Sequence, residues 1–294
     1  MPSLKEVRIR ITSVKSTQQI TSAMKLVSAA KFRKAQQAIL KLRPYADKMK
    51  DILMNLSANL DNQDGKYSEE RELKNVLIVV VSSNKGMCSA FNSNVIKRAV
   101  RLIDEEYSGL KSKGNLHLMT IGKKATDFFQ KNKYNIIESH DKLFDQLNFD
   151  NASVLAEKLM NFYTEKKYDR IVLVYNFMKN AAVQIQICEQ FLPVEAPKQD
   201  VKSKNTAKAD YIFEPNKEVI VQELIPKSLK IQFYKAVLNS NAGEHGARMT
   251  AMHLATENAS VLLKELQLTY NKARQGAITK ELLEIVSGAE ALKG

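Results

Sequence analysis

The carboxy-terminal third of the chain limits the possible folds most strongly, because the sequence predicts one continuous helix from about Pro226 to Leu292. At about 1.5 Å per residue, roughly 65 helical residues extend on the order of 100 Å, which is more than a globular domain of this size can bury. A second long helix is predicted over residues 1–60, and it would be nearly as long. Two such helices at opposite ends of one chain predict an antiparallel coiled coil, and a protruding shaft of this kind is more typical of a mechanical or scaffolding part than of a free-standing enzyme.

The amino-terminal helix has a clear start signal and an uneven apolar seam. Ser3 followed by Glu6 matches a capping box. Apolar residues then follow at steps of three and four: Leu4, Val7, Ile11 and Val14. The same spacing returns further along with its heptad register shifted: Ala38, Leu42, Tyr45, Met49, Ile52 and Leu56. Between them, Gln18 to Lys34 contains few large apolar groups, so we expect weak pairing there. Pro44 is expected to bend this helix or to end its first section.

Between the two helices the pattern changes to alternating strands and helices. Strands are predicted at Asn75–Val81, Leu116–Ile121, Asn135–Glu138, Ile171–Tyr175 and Ala182–Phe191, and helices at Asn92–Tyr107, Lys123–Asn132 and Asn151–Lys166. This order predicts an open, mostly parallel, Rossmann-like α/β domain over residues 70–200, and the last strand is expected to be an antiparallel edge. A linker over Lys198–Asp210 then leads into the carboxy-terminal coiled-coil segment, residues 210–294.

No loop of the α/β domain has the pattern of a nucleotide, catalytic or metal site. The turn after the first strand, Ser82–Ala90, contains a single glycine, whereas a pyrophosphate cradle needs several. Gly109–Asn115 lacks the Lys-Ser/Thr pair of a phosphate-binding loop. The four histidines have no catalytic spacing, and Cys88 is interpreted as a small core residue at the mouth of the sheet. We therefore expect no cofactor and no metal.

The positive charge is concentrated at the amino terminus. The chain carries 45 Lys and Arg against 32 Asp and Glu, a net charge of +13, and residues 1–50 hold twelve basic side chains against two acidic ones. This density favours an acidic partner surface over an ordinary solvated helix face. A helical nucleic-acid-binding protein would also explain the charge, but aromatic residues make up only 7% and no helix-turn-helix is evident. A coiled-coil scaffold is the other alternative, although it leaves the polar residues near the apolar carboxy terminus unexplained.

The sequence also predicts where the chain resides. No run of 18 apolar residues is present, so no membrane-spanning helix is expected. The first residues lack the progression of a signal peptide. Cys88 and Cys188 have no metal-like spacing, and reduced thiols in a cytosolic compartment are the default expectation.

Both ends of the chain resemble the γ subunit of F-type ATP synthases, the central rotor shaft. The matching segments are Ile9–Lys34, with Thr17-Gln18-Gln19-Ile20-Thr21 and Lys31-Phe32-Arg33-Lys34, and the carboxy-terminal strings Ala247–Met252, Ala255–Asn258, Glu265–Leu268 and Ile285–Ala289. The resemblance covers the whole chain. The chain departs from the family in the loop after the first strand. The family usually has Gly-Leu-Cys-Gly-Gly there, whereas this chain has Gly86-Met87-Cys88-Ser89-Ala90, so we expect a more relaxed turn. Gly243 and Gly246, inside the last helix, are expected to form a soft point in the shaft.

The resemblance implies a bacterial-type, non-catalytic rotor and a set of partner contacts. It places two groups of residues against the ring of α and β subunits: Met24, Lys25 and Arg33 on the first helix, and Arg274, Gln275, Thr279 and Glu281 on the last. Tyr211, Phe213 and Glu214 are expected to contact the ε subunit and the c-ring. The α/β domain would lie at the foot of the shaft, on the cytoplasmic face of the inner membrane, as a peripheral protein without direct membrane insertion and without nucleic acid.

Overall fold

The computed structural model describes residues 3–57, 66–69, 71–194 and 217–292. In chain order the elements are α1 (Leu4–Ser57), β1 (Val76–Val81), α2 (Phe91–Glu106), α3 (Ser108–Ser112), β2 (Leu116–Ile121), α4 (Lys123–Lys131), β3 (Ile136–Ser139), a short 3-10 helix (Asp141–Phe144), α5 (Phe149–Thr164), β4 (Arg170–Met178), β5 (Gln184–Leu192) and α6 (Lys217–Ala291). They form two compact units, one made of Met1–Ala29 with Arg248–Gly294 and the other of Ala30–Ala247.

The long terminal helices are confirmed, with different limits from those predicted. At the start of α1 the Ser3 amide donates to the Glu6 carboxylate over 3.0 Å, and the Glu6 amide donates to the Ser3 hydroxyl over 3.2 Å, as a capping box requires. Pro44 does not end the helix, because α1 continues to Ser57. Likewise α6 begins at Lys217, so Pro226 lies inside it. A proline removes one helical hydrogen bond, and a helix of many turns can continue past it because tertiary packing supplies most of its stability.

The five strands form one open sheet in the order β3-β2-β1-β4-β5. β1 runs parallel to both β2 and β4, and Val76 lies opposite Leu116 and Arg170. β5 pairs antiparallel with β4, which confirms the predicted edge strand. All six residues of β1 are buried, because helices cover both faces of the sheet. The continuous apolar run in the sequence therefore marks the central strand.

Each face of the sheet has its own core. On one face α2 and α4 contribute Val95, Leu102 and Phe129. On the other face α5 packs beside the first part of α6, which contributes Leu229, Phe233 and Val237. The last helix is therefore also a structural layer of the α/β unit.

Gly243 and Gly246 are positions of close packing within this unit. A Cβ atom on Gly243 would lie 3.2 Å from Cγ of Gln184 and 3.3 Å from the Phe91 ring. On Gly246 it would lie 2.8 Å from the carbonyl oxygen of Ala181 and 3.2 Å from the Phe32 ring. Glycine is present because α6 has no room for a side chain there. The mechanical softness expected from the sequence stays a prediction.

Candidate partner-contact site

The carboxy-terminal set of predicted contact residues lies on the exposed end of α6. Arg274, Gln275, Thr279 and Glu281 are all exposed. Gln275 and Thr279 are one helical turn apart, and the Thr279 hydroxyl donates to the Gln275 carbonyl over 3.0 Å. Within the described ranges Arg274 makes no ion pair or side-chain hydrogen bond. A guanidinium in this setting has all five of its donors available to a partner.

The amino-terminal set is divided between the two units. Met24 and Lys25 are partly buried in the first unit, whereas Arg33 is exposed in the second. The Lys25 ammonium lies 3.2 Å from Nδ1 of His253, and Nε2 of the same ring lies 3.5 Å from the Glu257 carboxylate. Because an ammonium only donates, Nδ1 must accept, and the ring proton is then on Nε2, facing Glu257. Lys25 is thereby held against α6.

Within the first unit, the structure does not bring Lys25 close to the carboxy-terminal set. Lys25 is level with His253, and Arg274 lies 21 residues further along α6, which corresponds to about 30 Å of helix. Any partner that contacts both sets must therefore be extended, or there must be more than one partner. Tyr211, Phe213 and Glu214, the predicted contacts to ε and the c-ring, lie outside the described residues.

A set of hydrogen bonds between α1 and α6, which we call the polar ladder, was not predicted from the sequence. It has three rungs: Gln18 to Ser260 at 2.7 Å, Thr21 to Thr256 at 2.8 Å, and Lys25 to His253 at 3.2 Å. Residue numbers rise on α1 as they fall on α6, so the helices are antiparallel in this unit. On α1 the ladder lies within Gln18 to Lys34, the stretch with few large apolar residues. That scarcity is the one sequence feature that pointed to unusual packing here.

Several large aliphatic side chains in this unit are exposed, although Val7 and Leu266 are buried. Ile20, Leu26 and Val27 on α1 are 60%, 69% and 57% exposed. On α6 the exposed set is Leu254, Val261, Leu268, Ile278, Leu282, Leu283, Ile285 and Val286. Leu254, Val261 and Leu268 are seven residues apart and share one stripe of the helix. Contiguous exposed apolar surface of this kind marks an interaction site.

The loop after β1 is tight and surrounds a buried thiol. Cys88 is 1% exposed and accepts a hydrogen bond from the Asn92 amide at 3.2 Å, which confirms it as a core residue. Met87 and Ser89 have left-handed φ values of 60° and 53°, and the relaxation expected of this turn relative to the family stays a prediction. The other thiol is on the edge strand, where burial raises the pKa of Cys188.

Comparison with known proteins identifies the family. The family model described as ATP synthase matches residues 3–292. ATP synthase gamma chains of Christiangramia forsetii and Cytophaga hutchinsonii are 56% and 55% identical, over 100% of both chains and 99% of both chains respectively. The chain belongs to the ATP synthase gamma-chain family. The family predicted from both ends of the chain is confirmed, and the individual ring-contact residues stay predictions.

Chains in two solved structures of mitochondrial ATP synthases have the same fold. A chain of Euglena gracilis mitochondrial ATP synthase superposes with a TM-score of 0.66 at 22% identity, over 98% of this chain and 94% of that one. A chain in the central stalk/c-ring structure of Tetrahymena thermophila mitochondrial ATP synthase gives a TM-score of 0.57 at 22% identity, over 80% of this chain and 99% of that one. Among the residues described here, no helix is long and apolar enough to cross a membrane.

Proposed function

We propose that this chain is the central-stalk rotor of an F-type ATP synthase. In this role it couples ion-driven rotation of the membrane c-ring to conformational cycling of the catalytic β subunits. The observation that carries the proposal is the gamma-chain family match over nearly the whole chain, residues 3–292. ATP synthesis and hydrolysis take place on the ring of α and β subunits, and this chain is non-catalytic.

The mechanism follows from the asymmetry of a two-helix shaft. A helix pair presents a different side chain pattern in each direction, so rotation within a ring brings different faces to each β subunit. A face that binds one β conformation better than another shifts the population toward that conformation. Rotation in steps therefore drives each β subunit through its open and closed states in turn.

The exposed aliphatic side chains of α6 support contact with the ring. Leu282, Ile285 and Val286 near the end of the helix are 57%, 68% and 55% exposed. Exposure of these apolar groups to water is unfavourable in free energy. An apolar sleeve of α and β subunits would cover them without forming the directional hydrogen bonds that resist rotation.

Arg274 and Gln275 are proposed as a polar catch that engages a β-subunit loop. Charge-assisted hydrogen bonds from Arg274 are worth roughly 1.5–3 kcal/mol when water is excluded. The variant Arg274→Ala/Gln275→Ala is expected to lower assembly or ATP hydrolysis of the reconstituted complex. The matched control is Glu223→Ala/Lys227→Ala, which removes an exposed ion pair of 3.6 Å elsewhere on α6. A catch variant that assembles and hydrolyses ATP like the parent would contradict the assignment.

Thr279 and Glu281 are proposed to extend the same polar set.

The second proposed contact lies on α1, where Met24 and the basic residues Lys25 and Arg33 face acidic loops of the β subunits. Attraction of this kind is screened by salt, since the Debye length is about 10 Å at 0.1 M. Binding of the chain to the ring is therefore expected to weaken as the salt concentration rises.

The α/β unit is proposed as the foot of the shaft, which grips the ε subunit and the c-ring on the cytoplasmic face of the bacterial inner membrane. The candidate grip residues are Tyr211, Phe213 and Glu214. A cysteine introduced by Tyr211→Cys or Glu214→Cys is expected to crosslink to c or ε, and one introduced by Ile285→Cys only to α or β. The opposite crosslinking pattern would overturn the polarity of the shaft.

A further inference from the structure

The polar ladder lies where a coiled coil normally buries apolar side chains. Its residues on α1 are Gln18, Thr21 and Lys25, at steps of three and four, and Ser28 continues the same stripe at 3% exposure. This stripe faces α6 although it carries almost no aliphatic surface. Apolar burial along this stretch comes from α6, where Met252 and Ala259 are 6% and 7% exposed, and α1 contributes little to it.

Each helix has a more apolar stripe directly beside the ladder. On α1, Ile20 precedes Thr21 and Val27 precedes Ser28. On α6, Leu254 follows His253 and Val261 follows Ser260. The four aliphatic side chains are 54–60% exposed: Ile20 60%, Val27 57%, Leu254 54% and Val261 57%. Since one residue corresponds to about 100° of helix rotation, turning both helices by that angle would bury all four and expose the ladder together with Met252 and Ala259 of α6.

The hydrogen bonds oppose this rotated packing. Thr256 donates to Thr21 across the interface, and Thr21, 8% exposed, donates in turn to the Gln18 carbonyl over 3.0 Å. Rotation would break the bonds between the helices. A buried polar contact in a coiled coil is known to select one arrangement at some cost in stability.

We propose that the polar ladder fixes the rotational phase of α1 against α6. It thereby holds the aliphatic stripes outward and sets the direction of Met24 and Lys25. Its members are positioning residues, and their role in turnover rests on the proposed contact between this chain and a ring of α and β subunits. The ladder explains why the most apolar side chains of this stretch remain on the surface.

The test compares hydroxyl removal with hydroxyl retention in the full chain. Thr21→Val/Thr256→Val keeps the side-chain shape and removes the central rung, whereas Thr21→Ser/Thr256→Ser keeps both hydroxyls. Thr269→Val is the matched control, because Thr269 is exposed and its hydroxyl only donates to the Glu265 carbonyl of its own helix, over 2.9 Å. Each change is combined with Val27→Cys, and the maleimide labelling rate at that position is measured by peptide mass spectrometry.

In the double valine variant, labelling at position 27 is expected to slow at least twofold, without a fall in melting temperature. The double serine variant and Thr269→Val are expected to label at the parent rate. Equal labelling in all variants would overturn the proposal, and so would equal slowing in the valine and serine variants. If the double valine variant fails to fold, Thr256→Val alone provides the same comparison.

The same variants in the assembled complex test the role in turnover. ATP hydrolysis is expected to fall with the double valine change and to recover with the double serine change. Altered labelling with unchanged hydrolysis would leave the phase-setting role intact and overturn its link to turnover. A chain that does not assemble with the ring at all, even as the parent, would instead contradict the proposed function.

Discussion

The close packing at Gly246 gives a sharp prediction, because Gly246→Ala sets two known effects against each other. Alanine is favoured over glycine inside a helix by about 1 kcal/mol. The new Cβ atom, however, would lie 2.8 Å from the Ala181 carbonyl oxygen and 3.1 Å from its Cα atom. Both are backbone atoms of the turn between β4 and β5, and they cannot rotate away as a side chain would.

Overpacking of this kind typically costs about 1–3 kcal/mol, so the contact outweighs the helix propensity. We expect Gly246→Ala to lower the free energy of unfolding by about 1 kcal/mol. Urea unfolding of the full chain, followed by circular dichroism, measures this change. At a slope of about 2 kcal/mol per molar urea, the midpoint falls by about 0.5 M.

Two other glycines of α6 provide matched controls for this measurement. Gly243→Ala meets Cγ of Gln184 and the Phe91 ring at 3.2 and 3.3 Å, both side chains that can move, so its loss should be smaller. Gly276→Ala meets nothing within 4 Å and should protect neighbouring amides from hydrogen exchange. If Gly246→Ala proves as stable as the parent, the Ala181 backbone gives way, and the close-packing argument is refuted.

Three further outcomes are expected. Ser89→Gly should stabilise the chain by about 0.5–1 kcal/mol, because the φ of 53° at Ser89 strains a residue that has a Cβ atom. The control Ala90→Gly, at a φ of −83°, should destabilise the chain, and urea midpoints that shift in the same direction for both variants would contradict the argument. Met24→Lys should slow ATP hydrolysis of the assembled complex by adding an ion pair that must break at each step, and unchanged turnover would count against that placement. Burial raises the pKa of the Cys188 thiol, so iodoacetamide at pH 8 should modify it far more slowly than a thiol introduced by Ser93→Cys on the surface, and similar rates would disprove the inference.

The elements that could be predicted from the sequence are those whose signals are local. The capping box at Ser3 and Glu6 lies within one helical turn, and the apolar run of β1 marks a strand buried on both faces. Such signals depend on neighbouring residues, so they could be recognised without knowledge of the fold. The long matches at both ends of the chain also sufficed to predict the family.

Contacts between residues far apart in the chain could not be predicted, because they depend on how the helices and the sheet pack. From the sequence, Gly246 is expected to weaken the helix, whereas in the structure it allows α6 to pack against Ala181, a residue far away in the chain. Thr21 and Thr256 are separated by 235 positions, and no local pattern connects them. The sequence could show that large apolar residues are scarce near Thr21, but it could not show that hydrogen bonds across the helix pair take their place, because that choice depends on which faces of two distant helices turn toward each other.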